Sequence, residues 1–460
     1  MDKQTDILII GSCSAGLYFG GLMAKQGFNV ILCDKSKEEN LGARFDVIHI
    51  AQRHFAEFGI PEPGPGDDDY IETFHAAYQR SALDKYPKLN HEDICVLRRV
   101  PLMKRIRKWA EEQAASGTGS QRGSLTILFE TEFIKPLFQN GTIRGGILKN
   151  VDGEVTITSS LVVDASGIDA VVRTQLPDNY GVETFVTGPR DQFYVVLQYI
   201  SLKDKSKTPT NNTFWPYYKC WFAPAITPAD GLFGVGANLS FEYAEKCWQR
   251  FNSRIPMPPH ELLYKEKGST PYRRPPFSLV ADNFLVLGDA ACITNPWSGE
   301  GVPYGMLLCK IAAGVIGQKD AKNTAQFSKM AMWPINKEYF GSQGAEFAAN
   351  LVMLSGAIAC TPEENDYEFS KSIIFEDETE KGKGNLVAKL IGALFAGGIS
   401  LKSLKALMSG ALLGGKISAH YKNFPLNLAD YPAWEAKAKQ LWAKSANMAD
   451  LAEEDLKTMV

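Results

Sequence analysis

The sequence lacks the features that would place it in a membrane, a secretory route or a nucleic-acid complex. No uninterrupted apolar run reaches the ~18–20 residues that a bilayer crossing requires. The eight cysteines, at positions 13, 33, 95, 220, 247, 292, 309 and 360, include no Cys-x-x-Cys pair and no spacing that resembles a metal site or a disulfide framework. Reduced thiols and no bound metal are therefore expected. There is no excess of positive charge: 49 basic residues face 52 acidic ones, the net charge is −3, and nothing electrostatic calls for nucleic acid. A strand-forming run begins at residue 6 and leaves no room ahead of it for a secretory leader. The expected location is the cytoplasm, with contact at a membrane surface as the nearest alternative. Internal repeats and low-complexity tracts are also missing.

What the sequence does have is concentrated first in residues 6–34. The run Ile7-Leu8-Ile9-Ile10 enters Gly11-Ser12-Cys13-Ser14-Ala15-Gly16, and a helix-compatible stretch follows to Gln26. Gly27 closes it, and Val30-Ile31-Leu32-Cys33 leads to Asp34. Strand, glycine turn, helix, strand and acid in this order make a dinucleotide-binding βαβ unit. Its turn directs orphan backbone N–H groups and the positive end of a helix at a pyrophosphate, which makes Gly11, Cys13, Ser14, Ala15 and Gly16 candidate phosphate contacts. Asp34, 18 residues past Gly16, stands near the ~20-residue offset of the acid that accepts ribose hydroxyls. Cys13 occupies the place of the middle glycine. A thiol there is either activated by the helix N-terminus or simply a compact packing side chain.

At 460 residues the chain is too long for one ordinary core, so two or three domains are expected. A helix-like stretch runs from Ile50 to Phe58, and the Pro- and Gly-rich residues 61–67 mark a loop. After Arg99, the positions Leu102, Ile106, Trp109 and Ala110 recur at helical spacing, and the basic residues 98–108 read as a solvated helix face. Asn140-Gly141 and Asp152-Gly153 mark hairpin turns. Residues Phe193 to Tyr199, Phe214 to Phe222 and Leu232 to Leu239 are strand-like and rich in aromatic and β-branched side chains. Residues 1–185 and 275–340 are thus expected to form a discontinuous nucleotide domain with an insertion near 60–95. Residues 186–274 then form a sheet domain and 341–460 a helical region.

A second informative segment is Asn283-Phe284-Leu285-Val286-Leu287-Gly288-Asp289-Ala290-Ala291, followed by Asn295-Pro296-Trp297-Ser298-Gly299-Glu300-Gly301-Val302. A buried strand delivers Gly288 and Asp289 at its carboxyl end, where open α/β sheets bind ligands. Asp289 can accept a hydroxyl of a polyol or can cap a helix. The turn from Gly299 to Gly301 offers N–H groups to an electron-rich ring edge or a phosphate.

Gly-x-Cys-x-x-Gly with Asp34, Arg99 before a helix, Asp164-Ala165-Ser166-Gly167 ending near Arg173, and Gly288-Asp289-Ala290-Ala291 with Pro296 and Gly299-Glu300-Gly301 occur in a telling order. Over roughly residues 5–335 that order resembles the p-hydroxybenzoate hydroxylase-like flavoproteins and, among them, the geranylgeranyl reductase family. The resemblance implies an α/β fold with a Rossmann-like FAD-binding domain, an antiparallel-sheet substrate domain and a helical C-terminal region. It implies non-covalent FAD, with Gly11, Cys13 and Gly16 at the pyrophosphate and Asp34 at the ribose. Arg44 and Arg99 match positions at the phosphate and ribityl chain, although each is open to a plainer reading as a surface ion pair or a helix-start contact. By the same resemblance Asp164 and Gly167 shape the turn near the adenine, Gly288 and Asp289 meet the ribityl chain or the pyrophosphate, and Pro296, Gly299, Glu300, Gly301 and Val302 line the isoalloxazine.

The family's Tyr-x-Trp-x-Phe-Pro signature is met in part by Tyr217-Tyr218-Lys219-Cys220-Trp221-Phe222-Ala223-Pro224. Tyr218, Trp221, Phe222 and Trp297 are expected to wall an apolar substrate pocket, with an ordinary aromatic sheet core as the alternative. The expected reaction is reduction of carbon–carbon double bonds in an isoprenoid or similarly apolar substrate. NADPH or a ferredoxin-like protein would supply electrons, and no catalytic residue or proton donor is assigned. A flavin monooxygenase or halogenase acting on an aromatic or polyketide substrate is the runner-up, since one fold supports both chemistries, and an electron-transfer protein without its own substrate is the third reading.

Overall fold

Apolar residues fill every position from Ile7 to Ile10 and from Val30 to Cys33 because these strands are covered on both faces, as parallel strands between helices must be. The computed structural model describes residues 3–42, 45–117, 122–320, 322–323, 325–357, 360–379 and 384–459. Its first sheet has eight strands, in the order Val280–Ala281, Phe284–Val286, Gly153–Asp164, Lys3–Ile10, Asn29–Cys33 and Ser124–Leu128, with the pair Glu132–Gln139 and Thr142–Asn150 joined to Gly153–Asp164. From Phe284–Val286 to Ser124–Leu128 the pairings are parallel. Asn140 and Gly141 both take positive φ, +50° and +76°, and turn the hairpin as their dipeptide foretells.

The second sheet also has eight strands, in the order His260–Pro271, Gln192–Leu202, Gly231–Asn238, Cys220–Ala223, Asn212–Trp215, Tyr70–Arg80, Pro87–Arg98 and Val47–Ala51. It is antiparallel except where Asn212–Trp215 runs parallel to Tyr70–Arg80. Two expectations change here. Ile50 and Ala51 end a strand paired with Cys95 and Ile94, so the helix begins only at Arg53 and runs to Phe58. The stretch from Phe214 to Phe222 is two short strands separated by a 3-10 turn at Pro216–Tyr218.

Helix Phe241–Arg254 covers one face of this sheet, burying Cys247 and Phe251 with Val196, Trp215, Tyr218 and Val235. The other face holds Val47, Phe74, Leu197, Tyr199, Trp221 and Leu232. Beyond residue 328 the chain is helical, from Lys329–Gly341 to Met448–Thr458. No helix among the described residues is long and apolar enough to cross a membrane.

Candidate functional site

Parallel register gathers the glycine turns. Ile10 lies beside both Cys33 and Asp164, and Val286 lies beside Asp164, so the residues that follow, Gly11, Asp34, Ala165 and Leu287-Gly288, emerge at one edge of the sheet. That carboxyl edge is where ligands of open α/β sheets bind. The turns touch: a Cβ on Gly11, whose φ is +104°, would lie 2.2 Å from the carbonyl oxygen of Ala165. One on Gly16 would lie 1.9 Å from the carbonyl oxygen of Gly11. Glycine is required at both places by the close approach of backbone to backbone.

Two helices begin at this edge. Helix Ser14–Lys25 starts after Cys13 with no side-chain cap, and helix Val302–Ile316 starts after Gly301, also uncapped. A Cβ on Gly305, in the first turn of the second helix, would lie 3.8 Å from the Cβ of Ala15 and 3.5 Å from the Cα of Gly288, so the two helix starts pack together over Gly288. Uncapped first-turn N–H groups at the head of a glycine turn are suited to an anionic diphosphate. Nothing lies within 4 Å of a Cβ built on Gly167 or Gly299, so those turns border open space. Arg99 opens helix Arg99–Ser116 and donates its backbone N–H to the carbonyl of Asp46, while its Nε is buried without a partner. This donor set fits the diphosphate and polyol chain of FAD. Arg44 lies outside the described residues.

Asp34 is half-buried and braces the turn it faces. Its Oδ2 accepts from the Ser12 backbone N–H at 2.8 Å and the Ser12 hydroxyl at 3.0 Å, and its Oδ1 accepts from the Ser36 N–H at 2.8 Å. Ser12 is a part of the site that the glycine pattern does not reveal. Cys13 is only partly buried and packs between two helices, its Sγ 3.7 Å from Met103 Sδ.

Asp164 holds its turn from within. It is fully buried, and its oxygens accept from the Ser166 N–H and hydroxyl at 3.1 and 2.6 Å and from the N–H groups of Val172 and Arg173 at 3.0 and 2.7 Å. Its carboxylate is engaged inside the turn, so it supports the cleft instead of presenting a ligand. Arg173, also fully buried, donates to the carbonyls of Ala290, Glu183 and Phe185 at 3.0, 2.9 and 2.8 Å, tying this turn to the Gly288–Ala291 segment. Burial lowers its pKa.

Asp289 is half-buried, and a Cβ on Gly301 would come 3.1 Å from its Oδ1, so the acid and the helix start form one surface. Asn295 closes the intervening loop: its N–H donates to the Glu300 carbonyl at 2.9 Å, and its own carbonyl accepts from Gly299 at 2.8 Å. Pro296 is buried, with its carbonyl receiving the Tyr272 hydroxyl at 3.2 Å. Glu300 accepts from the Ser298 hydroxyl at 2.7 Å, and Val302 begins the helix partly buried.

The four expected pocket aromatics do not share a wall. Trp221 lies on the sheet face with Leu197 and Tyr199, whereas Phe222, one residue on, points to the opposite face against Phe233 and Trp248. Tyr218 is buried on that opposite face against Phe251. Trp297 stands on the loop after Pro296, edge-on to Phe375 at 6.3 Å. Only Trp221 and Trp297 stay available as expected, and Tyr218 and Phe222 are core of the sheet's far side.

The Trp221 face carries a polar cluster that sequence reasoning missed. Tyr199 stacks on Tyr264 with ring centroids 4.3 Å apart, and its hydroxyl donates to Glu266 Oε2 at 2.7 Å. Tyr264 donates to Asp46 Oδ2 at 3.2 Å, and the Asp46 N–H donates to Glu266 at 3.0 Å. The Phe45 ring tip comes against Gly268 of the strand that carries Tyr264, 2.4 Å from the Cβ that glycine lacks. Burial raises the pKa of Glu266. Through Asp46 this cluster adjoins Arg99. Tyr264 and Glu266, two apart on one strand, share a face by the period of a strand, which is the signal that could have found them.

Residues 4–215 match the family described as FAD binding domain. The chain is similar to a digeranylgeranylglycerophospholipid reductase of Sulfolobus acidocaldarius, 23% identical over 451 residues that cover 94% of this chain and 96% of that protein. It is likewise similar to a protein of the same name from Methanoculleus marisnigri, 25% identical over 75% of this chain and 83% of the other. Among solved structures, a geranylgeranyl bacteriochlorophyll reductase-like protein from Thermoplasma acidophilum superposes with a TM-score of 0.71 at 15% identity, covering 92% of this chain and all of that one. A myxobacterial chondrochloren halogenase superposes at 0.57 with 14% identity, covering 89% and 97%. These likenesses show the fold.

Proposed function

We propose that this chain, a flavoprotein oxidoreductase with an FAD-binding domain and the fold of the geranylgeranyl reductase-like proteins, saturates carbon–carbon double bonds of an isoprenoid lipid. The observation that carries this reading is the extent of the likeness to the digeranylgeranylglycerophospholipid reductase, which runs through the sheet and helical regions as well as the nucleotide domain. FAD, when bound, supplies the hydride for such a reduction.

The chain's own groups supply the rest. The uncapped starts of helices Ser14–Lys25 and Val302–Ile316 hold the diphosphate, and Asp34, Arg99 and Asp289 hold the ribose and polyol hydroxyls. Trp221 and Val195, partly buried on that face, offer an apolar surface to the hydrocarbon and exclude water from it. Glu266, whose pKa burial raises, accepts the Tyr199 hydroxyl at Oε2 on that same face, and its carboxyl is the proton source in this reading. An alkene that accepts a hydride at one carbon needs such a proton at the other. Electrons reach the flavin from NADPH or a ferredoxin-like protein.

The test is anaerobic: the chemically reduced protein is mixed with polyprenyl lipids, and flavin reoxidation is followed with product mass. A gain of two hydrogens per double bond is the expected result. Reoxidation only after air is admitted, with one oxygen atom added to the product, would assign the protein to the monooxygenases instead.

A further inference from the structure

The helices Leu386–Phe395 and Leu401–Lys422 form a hairpin whose inner and outer faces differ in kind. Inward, Leu390 and Ala393 of the first helix and Leu407 of the second are buried with Cys360, Ile373 and Ile399. Gly410 and Gly414 let the second helix press on helix Gln343–Ala357, where a Cβ on Gly414 would come 2.9 Å from the carbonyl of Ala349. Lys389 turns inward to Glu376, and the Ser403 hydroxyl donates to buried Glu364 at 2.7 Å. These contacts fix the hairpin on the body and decide which side chains remain outside.

Outward, the first helix shows Ala388, Ile391, Gly392 and Phe395, a stripe at helical spacing that contains no charge. Phe395 is 86% exposed, and Leu401, across the short turn, is 55% exposed. Lys402, Lys405 and Lys416 are exposed on the second helix, and among the described residues none of the three forms an ion pair. The charge is one-sided. Residues 385–429 contain five lysines and no aspartate or glutamate, in a chain whose net charge is −3.

We infer that this hairpin docks on the surface of an anionic lipid bilayer, with Ile391, Phe395 and Leu401 entering the headgroup boundary and Lys402 and Lys405 over lipid phosphates. A helix with an apolar exposed face beside unpaired lysines has the composition of an interfacial anchor. A second copy of the chain is the poorer occupant, because a two-fold contact would set this same acid-free, lysine-bearing surface against itself. Docking is independent of the reaction proposed above, and its test reads no catalysis.

The FAD-loaded protein is sedimented with phosphatidylcholine vesicles and with vesicles that also contain phosphatidylglycerol, at low and at high salt. Binding is expected only with the anionic vesicles and is expected to weaken with salt. Lys402→Glu with Lys405→Glu should lower partitioning by about tenfold or more. Phe395→Asp with Leu401→Asp should lower it as well, whereas Val151→Asp, at an exposed apolar residue of a distant hairpin turn, should leave it unchanged. Retained flavin absorbance and circular dichroism show that each variant is folded. Failure of the parent protein to bind anionic vesicles, or equal binding by the hairpin variants, overturns the proposal. A dimer that Phe395→Asp dissociates, without vesicle binding, would assign the face to self-association and overturn it equally.

Discussion

Tyr199 donates its hydroxyl to Oε2 of Glu266 across 2.7 Å, on the sheet face that also carries Trp221. The carboxyl is held there by the backbone N–H of Asp46 as well, and burial raises its pKa. A raised carboxyl is active as a proton source while protonated, so the rate of substrate-dependent flavin reoxidation should be highest at low pH and fall as pH rises through that pKa. Glu266→Gln should slow the reaction by about 10²–10⁴-fold and remove this limb of the pH profile. Stopped-flow absorbance of the reduced flavin against pH checks both. A full-speed variant with an unchanged profile would take the proton source elsewhere.

The flavin should be non-covalent, one per chain, and released by acid precipitation. Asp34→Ala should weaken FAD binding by ~1.5–3 kcal/mol, since it removes a charge-assisted acceptor. It also frees the Ser12 N–H and hydroxyl that Asp34 holds. Asp289→Ala should weaken binding similarly. Titration of apoprotein with FAD, read by fluorescence quenching, gives the two affinities, and unchanged values in folded protein would misplace the site.

Trp221 lies across the bare backbone of Gly234, where a Cβ would stand 1.9 Å from the ring carbon Cε2. Gly234→Ala should therefore displace the indole and destabilise the protein by about 1–3 kcal/mol through overpacking. Denaturant titration reads the stability. A shifted tryptophan emission reads the ring, and a variant with parental emission would contradict the packing described.

Glu368 in helix Pro362–Ser370 is 1% exposed and accepts a weak hydrogen bond from Cys360 Sγ at 3.5 Å. Burial pushes its pKa up from 4.5 to about 7. Between those values the folded protein keeps a proton that the unfolded chain has released. Its contribution to stability is therefore complete below pH 4.5, declines as pH rises through about 7, and is lost above. The decline is on the order of 3 kcal/mol at most. Glu368→Gln should flatten it and leave the variant more stable than the parent at alkaline pH, as urea midpoints measured across pH would show.

The nucleotide edge was legible in the sequence because its determinants are local. The spacing of Gly11, Gly16 and Asp34 sets a turn, a helix start and a strand end within one βαβ unit, and parallel register does the rest. Long-range pairing was not legible. Val47–Ala51, Tyr70–Arg80 and Pro87–Arg98 join a sheet whose other strands lie beyond residue 190, and nothing local announces the parallel match of Asn212 with Ala77. The face of Phe222 was legible and that of Tyr218 was not. Phe222 follows Trp221 on one strand and so must point away from it, and Tyr218 sits in the 3-10 turn Pro216–Tyr218, whose packing against Phe251 only the tertiary structure shows. Asp164 was expected to shape its turn, but the donors from Val172 and Arg173, eight and nine residues on, are not visible in the Asp-Ala-Ser-Gly pattern.

The buried link from Arg173 to the carbonyl of Ala290 joins residues separated by 117 positions. During synthesis the nucleotide cleft cannot close when its glycine turn emerges, nor when residue 215 does. Strand Phe284–Val286 must arrive to pair with Gly153–Asp164, and Ala290 must arrive to receive the guanidinium. Until then Arg173 is a charge in a half-built interior. A fragment ending near residue 215 would lack one wall of the cradle and one of the three carbonyls that hold its deepest cation, so flavin loading belongs late in the life of the nascent chain, after most of it has been made.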